Sequence, residues 1–305
     1  MFDALRLGLV GLASAVALIG GEAAAAQQPS TPIAELRQQA QAGDRSAQVD
    51  LGIRLMMTNQ EPDLVEARRW LRAAMDAGDA EAKNAYAGLL INGGGGPRDE
   101  TLGQRLLAEA AAEGSVGANL TLSAAYRDGN GGFARDPGRA FAHMNAAAAS
   151  AHGESAQLVF WQLGMMHLRG TGTPANPQEA YRWVSRAADA GGVNGMISRA
   201  VMLATGEGTQ EDDAAARLWY QRASESGQRL FAHGMRGLGS MLVTGEGGPV
   251  DLPRGIAYLR IAKAGNDAQA GTLLERWRDR ITPEIDREAQ RIANQWMAEH
   301  MGAND

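Results

Sequence analysis

The sequence predicts an all-α fold: a solenoid of about six helix pairs, closed at each end by capping helices. Three observations predict it. A unit recurs along the chain, marked by one bulky residue at Trp70, Leu106, His143, Trp183, Trp219 and Tyr258, with separations of 36, 37, 40, 36 and 39 residues. Each unit splits into two stretches with apolar residues at helical spacing, divided by a glycine-rich turn. No unit can bury its apolar stripe alone, so the units must stack on one another.

The chain opens before the repeats. One basic residue, Arg6, precedes the apolar run Leu7 to Gly20, and Ala23 to Ala26 then lead into Gln27-Gln28-Pro29. A charged start, a short apolar core and an Ala-x-Ala end are the pattern of a secretory signal peptide. The run is about 14 residues, short of the roughly 20 needed to span a bilayer. With no cysteine in the chain, a bacterial lipid anchor has no attachment point. Cleavage is expected after Ala26. That removes Asp3, Arg6 and Glu22 and takes the net charge from -6 to -5. Residues 27–46 read as a linker and a capping helix, with Ile33, Leu36 and Ala40 on one face.

Residues 47–266 hold the six repeats. The first helix of each pair carries Leu51-Gly52, Leu163-Gly164 or Leu238-Gly239, with weaker versions at Leu122-Ser123 and Arg199-Ala200. A bulky residue follows three positions on, at Leu55, Leu90, Tyr126, His167, Leu203 and Leu242. Glycine turns come next at Gly93-x-Gly95, Gly129-x-Gly131, Gly170-x-Gly172, Gly206-x-Gly208 and Gly245-x-Gly247, and are read as helix ends, since glycine enters the left-handed region freely. The first copy has Thr58-Asn59-Gln60 instead, so its turn should differ. Seven residues before each marker stands a capping residue: Asp63, Asp99, Asp136, Asn176, Asp212 or Asp251. Glu179 is placed to close a capping box with Asn176. In the third copy the alanines run on to Ala151 and glycine is delayed to Gly153, which predicts a longer second helix. Residues 267–305 read as C-terminal capping helices. Leu273, Leu274, Trp277 and Ile281 form one face; Thr282-Pro283 starts a last helix with Ile285, Ala289, Ile292 and Trp296 on one side.

Chemistry-bearing residues are sparse. There is no cysteine and no His-Glu-x-x-His, and the five histidines are scattered, so no metal, cofactor or catalytic set is assigned. Gly153-Glu-Ser155 lacks both the final glycine and the preceding strand of a nucleophile elbow. The Gly-x-Gly turns lack the strand–loop–helix setting and lysine of phosphate loops. The acidic balance argues against nucleic acid as a partner. No segment after the leader is apolar enough to span a membrane.

The pattern Leu-Gly, glycine turn, Asp or Asn cap, Ala, Trp, Ala-Ala and Gly, best kept from Gly170 to Gly191, resembles the Sel-one-like repeat family, a branch of the tetratricopeptide superfamily. The resemblance implies a right-handed α/α superhelix of antiparallel pairs whose first helices line a concave groove. It places Val49, Ile53, Met56, Asn84, Ile91, Leu120, Arg127, Trp161, Met165, Leu168, Ile197, Val201, Arg236 and Ser240 in that groove. Two readings of this apolar strip stand open. It faces a protein or peptide ligand, or it is closed by tight curvature or by the terminal helix. The function the resemblance implies is a non-enzymatic, periplasmic protein-binding solenoid of a Gram-negative bacterium: an adaptor, scaffold or regulator of an envelope protein. A cell-wall-acting or β-lactamase-like enzyme and a scaffold for exopolysaccharide assembly and export are the alternatives.

Overall fold

The structure, a computed structural model, describes residues 31–226 and 231–301, excepting the side chains of Phe231, His300 and Met301. The expected signal peptide lies outside the described residues. Six helix pairs follow a lone helix α1 (Ile33–Gln41): α2 (Arg45–Thr58) with α3 (Glu61–Asp76), α4 (Ala80–Asn92) with α5 (Glu100–Ala112), α6 (Val116–Asp128) with α7 (Pro137–Ser150), α8 (Gly153–Arg169) with α9 (Pro177–Asp189), α10 (Val193–Thr205) with α11 (Asp213–Glu225), and α12 (Phe231–Thr244) with α13 (Leu252–Ala264). Two more close the chain, α14 (Ala268–Trp277) and α15 (Pro283–Met301). No strand occurs among the described residues. The fold is the expected all-α solenoid. It divides into two compact units, the first holding α1 to α7, α8 through Met166 and Gly170–Ala175, the second holding His167–Arg169 and everything from Asn176 on.

Each pair is fixed by the same local devices. Asp99, Asp136, Asn176, Asp212 and Asp251 accept the N–H three residues on at 2.9–3.1 Å, satisfying a helix-start donor. The backbone N–H of each of these five caps reaches back to the carbonyl of Leu90, Tyr126, His167, Leu203 and Leu242 at 2.7–2.9 Å, tying the second helix to the end of the first. The first copy departs: α3 begins two residues before Asp63, whose carboxylate instead accepts from Thr58 Oγ1 at 2.6 Å. The capping box at Asn176 is one-sided, because Glu179 turns to Arg182 at 2.7 Å.

The core corrects the register of the large ring. The fully buried position is the residue after the marker, at Leu71, Leu107, Met144, Val184 and Leu259. The alanines four places beyond the marker, Ala74, Ala110, Ala147, Ala187, Ala223 and Ala262, are likewise sealed. The marker rings Trp70, Trp183, Trp219 and Tyr258 are only half-buried. Arginines lie over them, Arg69 on Trp70 at 4.7 Å, Arg186 on Trp183 at 4.4 Å and Arg222 on Trp219 at 4.5 Å. The centre is filled by the aliphatic side chain after the marker and the alanine beside it, which leaves the ring at the rim.

The second glycine of each turn does more than end a helix. A Cβ at Gly95, Gly172, Gly208 or Gly247 would stand 1.8–2.2 Å from a backbone carbonyl oxygen, that of Leu64, Pro137, Pro177 or Asp213 respectively. Those carbonyls belong to the first turn of the second helix in the preceding pair, so this glycine is the joint between neighbouring repeats. Gly131 makes the same connection by another bond, its carbonyl accepting from Gln104 Nε2 at 3.0 Å.

The third repeat meets expectation only in part, its second helix being one residue longer than α5, α9, α11 and α13. α7 has 14 residues and ends where Ala151 turns extended, and the additional residues lengthen α8 to 17. At the C-terminus α15 packs directly on α13: Ala289, Ala293 and Trp296 join Ile256, Leu259 and Ile261 in one core, with Leu273, Leu274 and Trp277 against it. The last helix is therefore a cap on the sixth repeat.

Candidate functional site

The candidate site is the face formed by the first helices, taken unit by unit. In the first unit α4 and α6 pack against each other through polar side chains. Thr121 Oγ1 lies 3.2 Å from Asn84 Oδ1 and 2.9 Å from the Gly117 carbonyl. The Glu81 carboxylate accepts from Ser115 Oγ at 2.7 Å and from the Gly117 N–H at 3.3 Å. A Cβ on Gly117 would meet Glu81 Oε2 at 2.3 Å and Asn84 Nδ2 at 2.8 Å, so both side chains would have to move. At four of the expected groove positions the strip is closed. Val49, Asn84, Ile91 and Leu120 are 2–9% exposed and belong to the interior. Ile53 and Met56, on α2, are half-buried against the same core. Arg127 is exposed but engaged with its neighbour Asp128 at 2.7 Å. Trp161 and Met165 are half-buried.

A second polar cluster closes the third pair. Asn119 Nδ2 donates to the carbonyls of Ala111 and Ser115 at 3.1 and 3.0 Å, which turns its oxygen to His143 Nδ1 at 3.0 Å. His143 therefore carries its proton on Nδ1. Its ring stacks on Tyr126 with centroids 5.7 Å apart. Burial, and after it the charge of Arg139, hold the His143 pKa below the ordinary histidine value. These groups knit the repeat together.

The second unit presents a different surface. α10, α12 and α14 lie side by side, and corresponding positions can be counted from Gly192, Phe231 and Asp267. Leu168, at the end of α8, packs into the core of Ala180, Val184 and Met202. On α10 the outward stripe is uncharged: Asn194 and Ile197 are half-buried, and Val201 is 41% exposed. On α12 the same positions are His233, Arg236 and Ser240; on α14 they are Gln269, Thr272 and Arg276, all three exposed. Arg236 Nε pairs with Asp267 at 2.9 Å; its side chain is 30% exposed, while that of Asp267 is 4% exposed. Asp267 also accepts the Gln269 and Ala270 N–H groups, so the carboxylate is fully used in starting α14. Sequence reasoning named Ile197, Val201, Arg236 and Ser240 but missed His233 and Arg276. Counting α14 from its cap Asp267, as a seventh first helix, would have found Arg276.

Among the described residues no three His, Asp or Glu side chains converge on a metal-sized site. No described helix is long and apolar enough to cross a membrane.

Comparison with known proteins agrees with the repeat count. The Sel1 repeat family matches six segments, residues 45–79, 80–115, 118–152, 161–192, 194–228 and 232–267. A chitin synthase regulator of Malassezia restricta is 33% identical over 123 residues, which is 40% of this chain and 8% of that protein. Among solved structures, a protective antigen of uropathogenic Escherichia coli with this repeat fold superimposes with a TM-score of 0.68 at 20% identity, covering 100% of this chain and 65% of its own. A Sel1 repeat protein of Oxalobacter formigenes gives 0.62 at 21% identity, covering 81% and 96%. At these identities the two structures establish the fold alone.

Proposed function

We propose that this chain, which belongs to the Sel1 repeat family, is an exported, non-enzymatic binding protein that holds a protein partner of the cell envelope on the first-helix face of its second unit. Sel1 repeats form a protein-interaction fold. The observation that carries the finer reading is the contrast between faces. The first helices α4 and α6 are sealed against one another, whereas α10, α12 and α14 leave Val201, Arg236 and Arg276 open. An apolar side chain at 41% exposure beside polar and cationic neighbours is what a peptide-binding surface offers. The partially similar fungal protein is named as a regulator of an enzyme, which accords with a role in controlling another protein. The leader pattern of residues 1–26 supports export and a periplasmic site in a Gram-negative cell.

The test is site-specific photocrosslinking in a Gram-negative host that makes the full chain. A photoreactive residue at Val201 or Ser240 should capture a defined protein that one at Leu218, on the second helix α11, does not. Equal capture from all three positions, or none from any, refutes the reading. Mass spectrometry of the exported protein checks the leader: its first residue should be Gln27.

A further inference from the structure

The same face has a sign. The protein as a whole carries a net charge of -6, yet the outward stripes of α12 and α14 bear His233, Arg236 and Arg276 and no exposed carboxylate. Asp267 is buried and spent on Arg236 and two backbone N–H groups. Glu275, the neighbour of Arg276, lies off the outward stripe, at the register position of Ala200 and Gly239; its side chain is 67% exposed and is engaged with Arg278 at 3.2 Å. Two further acidic residues, Glu207 and Glu246, lie past the C-terminal ends of α10 and α12 in the turns. The face thus runs from an uncharged, apolar stripe at Ile197 and Val201 to a cationic one at Arg236 and Arg276.

From this we infer that the partner segment is an extended acidic peptide, its apolar side chains laid on Ile197 and Val201 and its carboxylates on Arg236 and Arg276. The inference rests on the binding role proposed above and adds the chemistry of the ligand. Arg236 is suited to the task. Its Nε is locked on Asp267, so the planar guanidinium is held in place and keeps its two Nη groups for a carboxylate. Arg276 is an unfixed cation on the next helix, which adds attraction at longer range. The acidic turns disfavour a peptide running past the helix ends, and so favour one crossing the helices nearer their middles.

The experiment uses the full chain and three fluorescein-labelled peptides of equal length: a Leu-rich half joined to a Glu-rich half, the same with Lys for Glu, and the same with Ser for Leu, since an extended chain turns successive side chains to opposite faces. Fluorescence anisotropy should show the Glu–Leu peptide bound at least about tenfold more tightly than the other two, with affinity falling as salt rises. Arg276→Glu, a change on an exposed side chain that should leave the fold intact, is expected to weaken it about tenfold. Val201→Asp should weaken it similarly. Arg236→Gln, which disturbs a buried partner, is read only beside a circular dichroism spectrum matching the parent. Equal binding of the Lys–Leu peptide, no binding of the Glu–Leu peptide, or an Arg276→Glu protein that binds as the parent does overturns the inference. Photocrosslinking that captures a partner at Val201 while the peptide result is negative leaves the binding role standing and removes only its acidic specificity.

Discussion

Gly206 and Gly208 make a matched pair for testing how neighbouring repeats are joined. Both have positive φ, 68° and 73°, so an alanine at either position is forced into the left-handed region. That costs about 1–2 kcal/mol. They differ in what surrounds them. A Cβ on Gly206 would have its nearest atom at 3.6 Å, an ordinary contact with Glu211. A Cβ on Gly208 would stand 2.0 Å from the Pro177 carbonyl oxygen and 2.4 Å from its carbon. The clash is with backbone at the start of α9, where Asn176 caps the helix at 3.1 Å and the chain has little room to yield. Overpacking of this kind adds about 1–3 kcal/mol. Gly206→Ala should therefore lose about 1–2 kcal/mol, and Gly208→Ala about 2–5 kcal/mol. In urea unfolding followed by tryptophan fluorescence, with a slope of about 2 kcal/mol/M, the two midpoints should differ by about 0.5–1.5 M. Equal losses would show that the second glycine serves only to end a helix, and would refute the account of the repeat joint.

Three further outcomes follow from the structure. Leu259→Ala, at a sealed position, should cost about 2–5 kcal/mol, and Trp183→Ala, at a half-buried rim, clearly less than the range for an emptied aromatic core site; denaturant midpoints of the two variants decide it. Because the folded protein holds the His143 pKa below that of the unfolded chain, the folded state binds fewer protons, so the stability His143 contributes is present above pH of about 6.5 and is lost as pH falls below it. His143→Gln, which can still donate to Asn119, should flatten the loss between pH 7 and 5.5, and an unchanged slope would sink the assignment. Removal of residues 282–305 strips Ala289, Ala293 and Trp296 from Ile256 and Leu259, so the truncated protein should melt lower and aggregate; a soluble protein of parental stability would contradict the cap.

The sequence by itself determined the fold class, the repeat count and five of the six second-helix starts. Glycine and Asp or Asn act through φ and through a bond three residues away, and such local requirements can be read at a fixed period. Burial was not legible in the same way. Trp183 stands out as the largest residue of its helix, yet Val184 and Ala187 fill the centre, because the centre of each pair is taken by one aliphatic side chain and an alanine. At Val49, Asn84, Ile91 and Leu120 the first-helix strip is closed and not open: Ile91 lies against Gly103 of the paired helix α5, and Asn84 meets Thr121 of α6, residues 37 apart on different helices. Ile197 and Asn84 occupy equivalent places in the repeat, and only the tertiary structure opens one and seals the other. It also decided the charge of the second unit's face. Arg276 lies beyond the last repeat, and the packing of α14 beside α12 is what brings it level with Ser240, on the same face as Arg236. A period of 36 to 40 residues fixes what each repeat must do for itself; what it exposes depends on how closely its neighbour can approach.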